Sequence, residues 1–175
     1  MLKMFTTQLG GLFKRIQEKQ EFAIEDAARL LAQAPVGDGN IYIFGSKEMA
    51  AVAAEATEGA EPLKGAKMLK DAKLPAEFSE ADRVLIISRN ADDIESVVFA
   101  KALQEKNLAF VAVSTVNGQD DSSLTEWADV HIDLGLTKGL LPAEDGSRFG
   151  LPTSMAALFV YNALKFTIDE ILEEY

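Results

Sequence analysis

The sequence predicts a three-layer α/β/α fold around a mostly parallel sheet, with a long helix at each end. Three observations carry this. Two continuous apolar runs, Ile41-Tyr42-Ile43-Phe44 and Val84-Leu85-Ile86-Ile87, each pass into a serine-bearing turn and then into a helical pattern. A third such run, Ala109 to Ser114, follows the second helical pattern. Unbroken apolar strands separated by helices are the mark of strands buried on both faces of a parallel sheet. Finally, both ends of the chain carry apolar residues at three- and four-residue steps, the period of a helix that buries one face.

Taken in order, residues 2 to 34 read as helix, with Phe5, Leu9, Leu12, Ile16, Ala23, Ala27, Leu30, Leu31 and Ala34 forming the stripe. Gly10-Gly11 predicts a kink or a split, because glycine is a poor helix former. Pro35 and the run Val36 to Asn40 stop the helix. The first strand, 41–44, leads through Gly45-Ser46-Lys47-Glu48 into a helix from Met49 to about Thr57. Gly59, Pro62 and Gly65 mark an irregular connection, and Ala66 to Leu69 a short edge strand. Val84 to Ser88 is the central strand, followed by a helix from Asp92 to Lys106. After Ala109 to Ser114 come a short helix, Ser122 to Trp127, and a last strand, Val130 to Leu134. A Gly/Pro-bearing loop, Gly135 to Leu151, precedes the closing helix from Pro152 to about Glu173, whose apolar positions include Met155, Leu158, Phe159, Phe166 and Leu172. This is one domain over 1–175, a helical segment 1–35 joined to an α/β core 40–175.

Composition narrows the function. The chain has 175 residues, is 48% hydrophobic and carries a formal charge of −11. Nucleic acids and anionic membranes are poor partners for such a molecule, since both reward a basic stripe and none is present. No apolar run approaches the roughly 20 residues that span a bilayer. The start, Met-Leu-Lys-Met, is not a basic flank before an apolar signal core, so a cytoplasmic location is expected. Cysteine is absent, which excludes disulfides and thiolate chemistry, and with one histidine no metal site is expected. No cofactor is called for.

In open parallel sheets ligands sit beyond the carboxyl ends of the strands. Three hydroxyl-bearing turns are predicted there. In Gly45-Ser46-Lys47, Gly45 permits a sharp turn, and Ser46 either caps the next helix or also donates to a bound phosphate. In Ser88-Arg89-Asn90, Arg89 could clamp a phosphate or carboxylate with two bonds, or pair with Asp92 or Asp93. Ser114-Thr115 is the third. Together they predict one electropositive pocket. Arg148, in the loop before the last helix, is placed to close over it or to serve a purely structural loop. His131, between Val130 and Ile132, reads as a structural histidine.

These residues and their order resemble the SIS (sugar isomerase) domain family and, within it, the phosphoheptose isomerases. The likeness rests on Ile41 to Ser46, Val84 to Ser88, Ala100 to Leu103, Val111 to Thr115 and Ala128 to Ile132, and covers nearly the whole chain. It implies a flavodoxin-like or Rossmann-like sheet and a phosphorylated sugar, or a related small anion, as ligand. It further implies Glu55, in Ala53-Ala54-Glu55, as a general base, unless Glu55 is simply an exposed helix residue. Two departures stand out. The family's glycine- and serine-rich second loop is here Ser88-Arg89-Asn90-Ala91-Asp92-Asp93, and the last helix lacks the family's acid histidine. The resulting expectation is a sugar-phosphate-binding protein acting as a non-catalytic binding or regulatory module, with an active aldose–ketose isomerase and a purely structural oligomer as alternatives. The long amphipathic first helix predicts a homodimer or homotetramer.

Overall fold

The computed structural model describes residues 1–118 and 123–175; the expected helix start at Ser122 lies outside the described residues. Helix α1 (Leu2–Val36) leads into strand β1 (Ile41–Gly45), a single 3-10 turn (Lys47–Met49) and α2 (Ala50–Glu58). Then follow β2 (Ala66–Leu69), β3 (Arg83–Asn90), α3 (Ile94–Glu105), β4 (Phe110–Thr115), α4 (Leu124–Trp127) and β5 (Val130–Asp133). A two-stranded hairpin, β6 (Leu141–Pro142) and β7 (Arg148–Phe149), precedes α5 (Thr153–Glu173). The main sheet runs β2-β1-β3-β4-β5, and every neighbouring pair is parallel.

Side-chain alternation along the strands feeds two cores. Ile41, Ile43, Leu85, Ile87, Val111 and Val113 point to the layer of α1, α2 and α5. Tyr42, Phe44, Val84, Ile86, Phe110 and Ala112 point to the layer of α3 and α4. This is why the strands read as unbroken apolar runs. The α1 stripe is largely consumed inside the chain: Leu12, Ile16, Ala27 and Leu31 are buried, and Phe13 stacks on Phe159 of α5 with ring centroids 4.6 Å apart.

Two expectations about helix ends are corrected. Gly10 and Gly11 neither split nor stop α1, which passes through both as one helix. A Cβ at either would meet nothing within 4 Å, so they lie on an open surface while Leu9 and Leu12 anchor the turn beside them. Nor does Pro35 end it; it sits in the last turn, where only one backbone bond is lost, and Gly37 closes the helix by donating to Ala34 and Gln33. The Gly135–Leu151 segment, expected as loop alone, contains the β6–β7 hairpin, pinned by Arg148: Nε donates to the Gly139 carbonyl and Nη2 to that of Leu140, both at 2.7 Å.

At the amino edge of the sheet Asp82 is a fixed joint. It is buried, and accepts from the Asn40 N–H at 2.7 Å, Asn40 Nδ2 at 3.2 Å, the Ser79 N–H at 2.7 Å and Ser79 Oγ at 3.0 Å. Those bonds tie the approach to β1 to the approach to β3, and so set the register that the opposite edge inherits.

Candidate functional site

At the carboxyl edge, Gly45 pairs with Ile87 and Ile87 with Val113. Ser46, Ser88 and Ser114 each follow one of these residues, so the three serines stand at one level across three adjacent strands. Their hydroxyls nevertheless have separate fates. Ser88 and Ser114 are fully buried. Ser88 Oγ donates to the Asn90 carbonyl at 2.7 Å, within a register shift that lets β3 run on to Asn90. Ser114 Oγ lies 2.7 Å from His131 Nε2. Thr115, also buried, accepts the Leu136 N–H at 3.3 Å. Only Ser46 borders open space, so the expected pocket lined by three hydroxyl turns is corrected to a cleft at β1 and β3 alone.

The turn after β1 departs from expectation too. A Cβ at Gly45 would overlap the Met49 carbonyl, so the chain doubles back where only glycine fits. Lys47 adopts a left-handed backbone, φ 51°, and opens a 3-10 turn rather than the helix itself. Ser46 makes no side-chain cap of this turn. Its hydroxyl instead helps to hold down the carboxyl of Asp93, the N-cap of α3.

The cleft holds about 490 Å³ and is walled by Ser46 to Glu48 on one side and by Arg89, Asn90 and the first turn of α3 on the other. Four carboxylates, Glu48, Asp92, Asp93 and Glu95, face two cations, Lys47 and Arg89. Arg89 pairs with neither Asp92 nor Asp93. Its Nε donates to Glu48 Oε1 at 2.7 Å and its Nη2 to Glu48 Oε2 at 2.9 Å, a two-pronged pair. Thr153, the first residue of α5, donates to Glu48 Oε1 at 2.9 Å. These bonds, the Arg89 pair foremost, hold the Glu48 carboxyl down at about 2 and push the Arg89 guanidinium up. Asp93 accepts from the Ser96 N–H at 3.1 Å and Ser96 Oγ at 2.7 Å, and Lys47 Nζ stands 3.5 Å away. Burial raises the Asp93 carboxyl, but the Ser96 and Ser46 bonds outweigh it and the net direction is down. Asn90, at the cleft wall, accepts from Asn117 Nδ2 at 2.8 Å.

Glu48 and Thr153 were not singled out by the sequence. They are 105 residues apart, and no local spacing connects them; the one available hint was a carboxylate two residues beyond Ser46. Glu55 lies on α2, exposed and outside the cleft lining, beside α5. There Tyr161 is buried with its hydroxyl unpartnered; burial first, then the Glu55 and Asp169 carboxylates, push it up to about 12. Arg148 points its guanidinium into the hairpin and does not line the cleft. His131 is held below its ordinary range by burial, with Asp133 opposing. Among the described residues, no group of three or more His, Asp or Glu side chains could hold a metal ion, and no helix is long and apolar enough to cross a membrane.

Solved structures share this architecture at low sequence identity. The Vibrio vulnificus NanR protein complexed with ManNAc-6P matches with a TM-score of 0.72 and 16% identity, over 99% of this chain and 62% of that one. Phosphoheptose isomerase from Neisseria gonorrhoeae matches with a TM-score of 0.66 and 16% identity, over 95% of both chains. At such identities the likeness is one of fold. A Bacillus subtilis (strain 168) relative, described as uncharacterized protein YwjG, is 46% identical over 175 residues, all of this chain and 99% of that protein. Residues 1–172 match a family described as a domain of unknown function, DUF2529, and the chain belongs to that family.

Proposed function

We propose that this protein binds a phosphorylated sugar in the cleft beyond β1 and β3, and that it does so as a binding or regulatory module of SIS type. The observation that carries the reading is the meeting, in one open cleft, of Ser46, Lys47, Arg89 and Asn90 with the N-terminal turn of α3. A twelve-residue helix carries partial positive charge at its start, and the first turn of α3, capped by Asp93, lines the cleft. The fold likeness to a protein complexed with ManNAc-6P supports this ligand class. Ser88, Ser114, Thr115 and Gly45 then act by shaping the strand ends, and Arg148 by fixing the hairpin beside them.

The non-catalytic form is preferred because the two carboxylates that contact the cationic groups of the cleft are already engaged. Glu48 is held near 2, and Asp93 is occupied as a helix cap. The isomerase reading requires Glu55, which the cleft excludes; its one supporting feature is the neighbouring Tyr161 hydroxyl on α5. Self-association into a homodimer or tetramer is supported by apolar residues left exposed where the hairpin meets the start of α1, among them Leu2, Met4, Leu151 and Met155.

Thermal unfolding in the presence of ManNAc-6P and other hexose 6-phosphates tests the reading. Saturable stabilisation is expected, of about 2.7 kcal/mol at a hundredfold excess over Kd, and it should vanish in Arg89→Gln. Absence of any shift at millimolar ligand would remove the sugar-phosphate assignment.

A further inference from the structure

Every cationic feature of the cleft is already engaged by a carboxylate of the chain itself. Asp93 caps the start of α3 and holds Lys47 at 3.5 Å. Glu48 fills the Arg89 fork with both oxygens. Planar, two-pronged donation is how guanidinium groups recognise phosphate as well as carboxylate. Glu48 therefore stands where the oxygens of an incoming anion would stand.

We infer that Glu48 is an internal competitor for the anion: the ligand enters by displacing the Glu48 carboxylate from Arg89, and the Glu48–Arg89 pair sets the affinity and selectivity of the cleft. This rests on the reading of the cleft as an anion site.

Glu48, rather than Asp93, is the group that gives way. Asp93 carries the α3 cap through two bonds to Ser96, so moving it would undo the start of a helix. Glu48 lies on a single 3-10 turn, and its bonds to the rest of the chain come from the Arg89 and Thr153 side chains, its own backbone N–H adding to them locally. Half of the Arg89 side chain is in solvent, so the pair is screened and held weakly enough to exchange. The Thr153 hydroxyl sets how readily it does so, because it donates to Oε1, the same oxygen that Arg89 Nε holds.

The exchange also selects. With Glu48 in place, four carboxylates oppose two cations in the cleft. A monoanion that only matches Glu48 gains little by replacing it, whereas a phosphate dianion brings more charge to the same fork. Phosphate esters are thereby favoured over carboxylate sugars of similar shape.

The test is calorimetric titration of inorganic phosphate and of ManNAc-6P into the wild-type protein and three variants. Glu48→Gln, which keeps the shape and removes the charge, is expected to bind phosphate about tenfold more tightly. Thr153→Val leaves the charge and loosens the carboxylate, with a rise of about two- to threefold. Arg89→Gln abolishes binding in either background. Should wild type and Glu48→Gln bind with equal affinity, the competitor role is overturned and the cleft remains an anion site. Should none of the proteins bind either probe, the anion reading falls and this inference with it. If Glu48→Gln does not fold, judged by circular dichroism, the Thr153→Val titration decides by the same criterion.

Discussion

Asp82 and Glu48 occupy opposite ends of the same sheet and differ in nearly everything but charge. At the amino edge, Asp82 is 4% exposed and accepts four hydrogen bonds from Asn40 and Ser79, two of them from backbone N–H groups. Burial would lift its carboxyl, yet those bonds prevail and the shift is downward. At the carboxyl edge, Glu48 is partly open to solvent, and the donors it takes from other residues are the Arg89 and Thr153 side chains. Backbone donors cannot leave without unmaking a turn, whereas side-chain donors can rotate away. The comparison separates a joint that fixes strand register from a contact able to exchange its partner.

The sharpest way to break that contrast is to remove both carboxylates in turn. Asp82→Ala leaves four buried or half-buried donors without an acceptor and is expected to lower stability by about 3 kcal/mol in urea unfolding. Glu48→Gln should cost less than about 1 kcal/mol, as befits a half-exposed ion pair. Equal losses in the two variants would erase the distinction between joint and exchangeable contact.

Much of this architecture was readable beforehand, for a definite reason. Strands such as Ile41–Phe44 and Val84–Ile87 are buried on both faces, so their apolar continuity encodes the parallel sheet directly. The position of Ser46, Ser88 and Ser114 at one level followed from the same strand–turn–helix grammar. What the grammar could not encode was which way each hydroxyl turns. Ser114 meets His131 from the adjacent strand, and Ser46 meets a helix cap 47 residues further on. Arg89 offered two acidic neighbours within four positions, but its actual partner lies 41 residues earlier. Tertiary side-chain pairing is set by how strands align in space, and no spacing along the chain reports it. The exposed Gly10-Gly11 pair shows the converse, where local propensity argued for a break and packing of the flanking leucines overrode it.

A pH series sharpens the picture of the carboxyl edge, where a buried histidine and an exchangeable carboxylate titrate in different windows. His131 is held below its ordinary value of 6.5 in the folded state. The unfolded chain therefore binds a proton first, and stability falls as pH drops from about 6.5 toward the folded value. Glu48 acts over a different window: its folded value of about 2 lies below the ordinary 4.5, so its contribution is complete above 4.5 and fades between 4.5 and 2. Stability against pH should thus show an upper limb that disappears in His131→Gln and a lower limb that shrinks in Glu48→Gln. A single acid transition, unchanged in both variants, would contradict the placement of these groups.

The smallest effect concerns a group that neither edge claims. Tyr161, on α5, is 2% exposed, and its hydroxyl has no partner among the described residues. A buried hydroxyl without a hydrogen bond forfeits its hydration and gains nothing in return, a penalty of about 1–3 kcal/mol for a neutral group. Part of that penalty is offset by the ring, which packs with Val160 and Leu164 in the same core. Tyr161→Phe keeps the ring and removes the orphan, so the expected result is unchanged or higher stability, by up to about 1 kcal/mol, read as a shift in the urea midpoint at constant slope. A clear loss of stability would mean that the hydroxyl has an acceptor in solution, and of the two carboxylates that act on it, Glu55 and Asp169, Glu55 is the stronger. Repeating the measurement in Glu55→Gln then separates the cases: a true orphan gives the same Tyr161→Phe increment in both backgrounds, whereas a Tyr161–Glu55 bond makes the two substitutions non-additive. Such coupling would move Glu55 from an exposed helix position to a held one, and would give the isomerase reading the oriented base that the cleft itself does not provide.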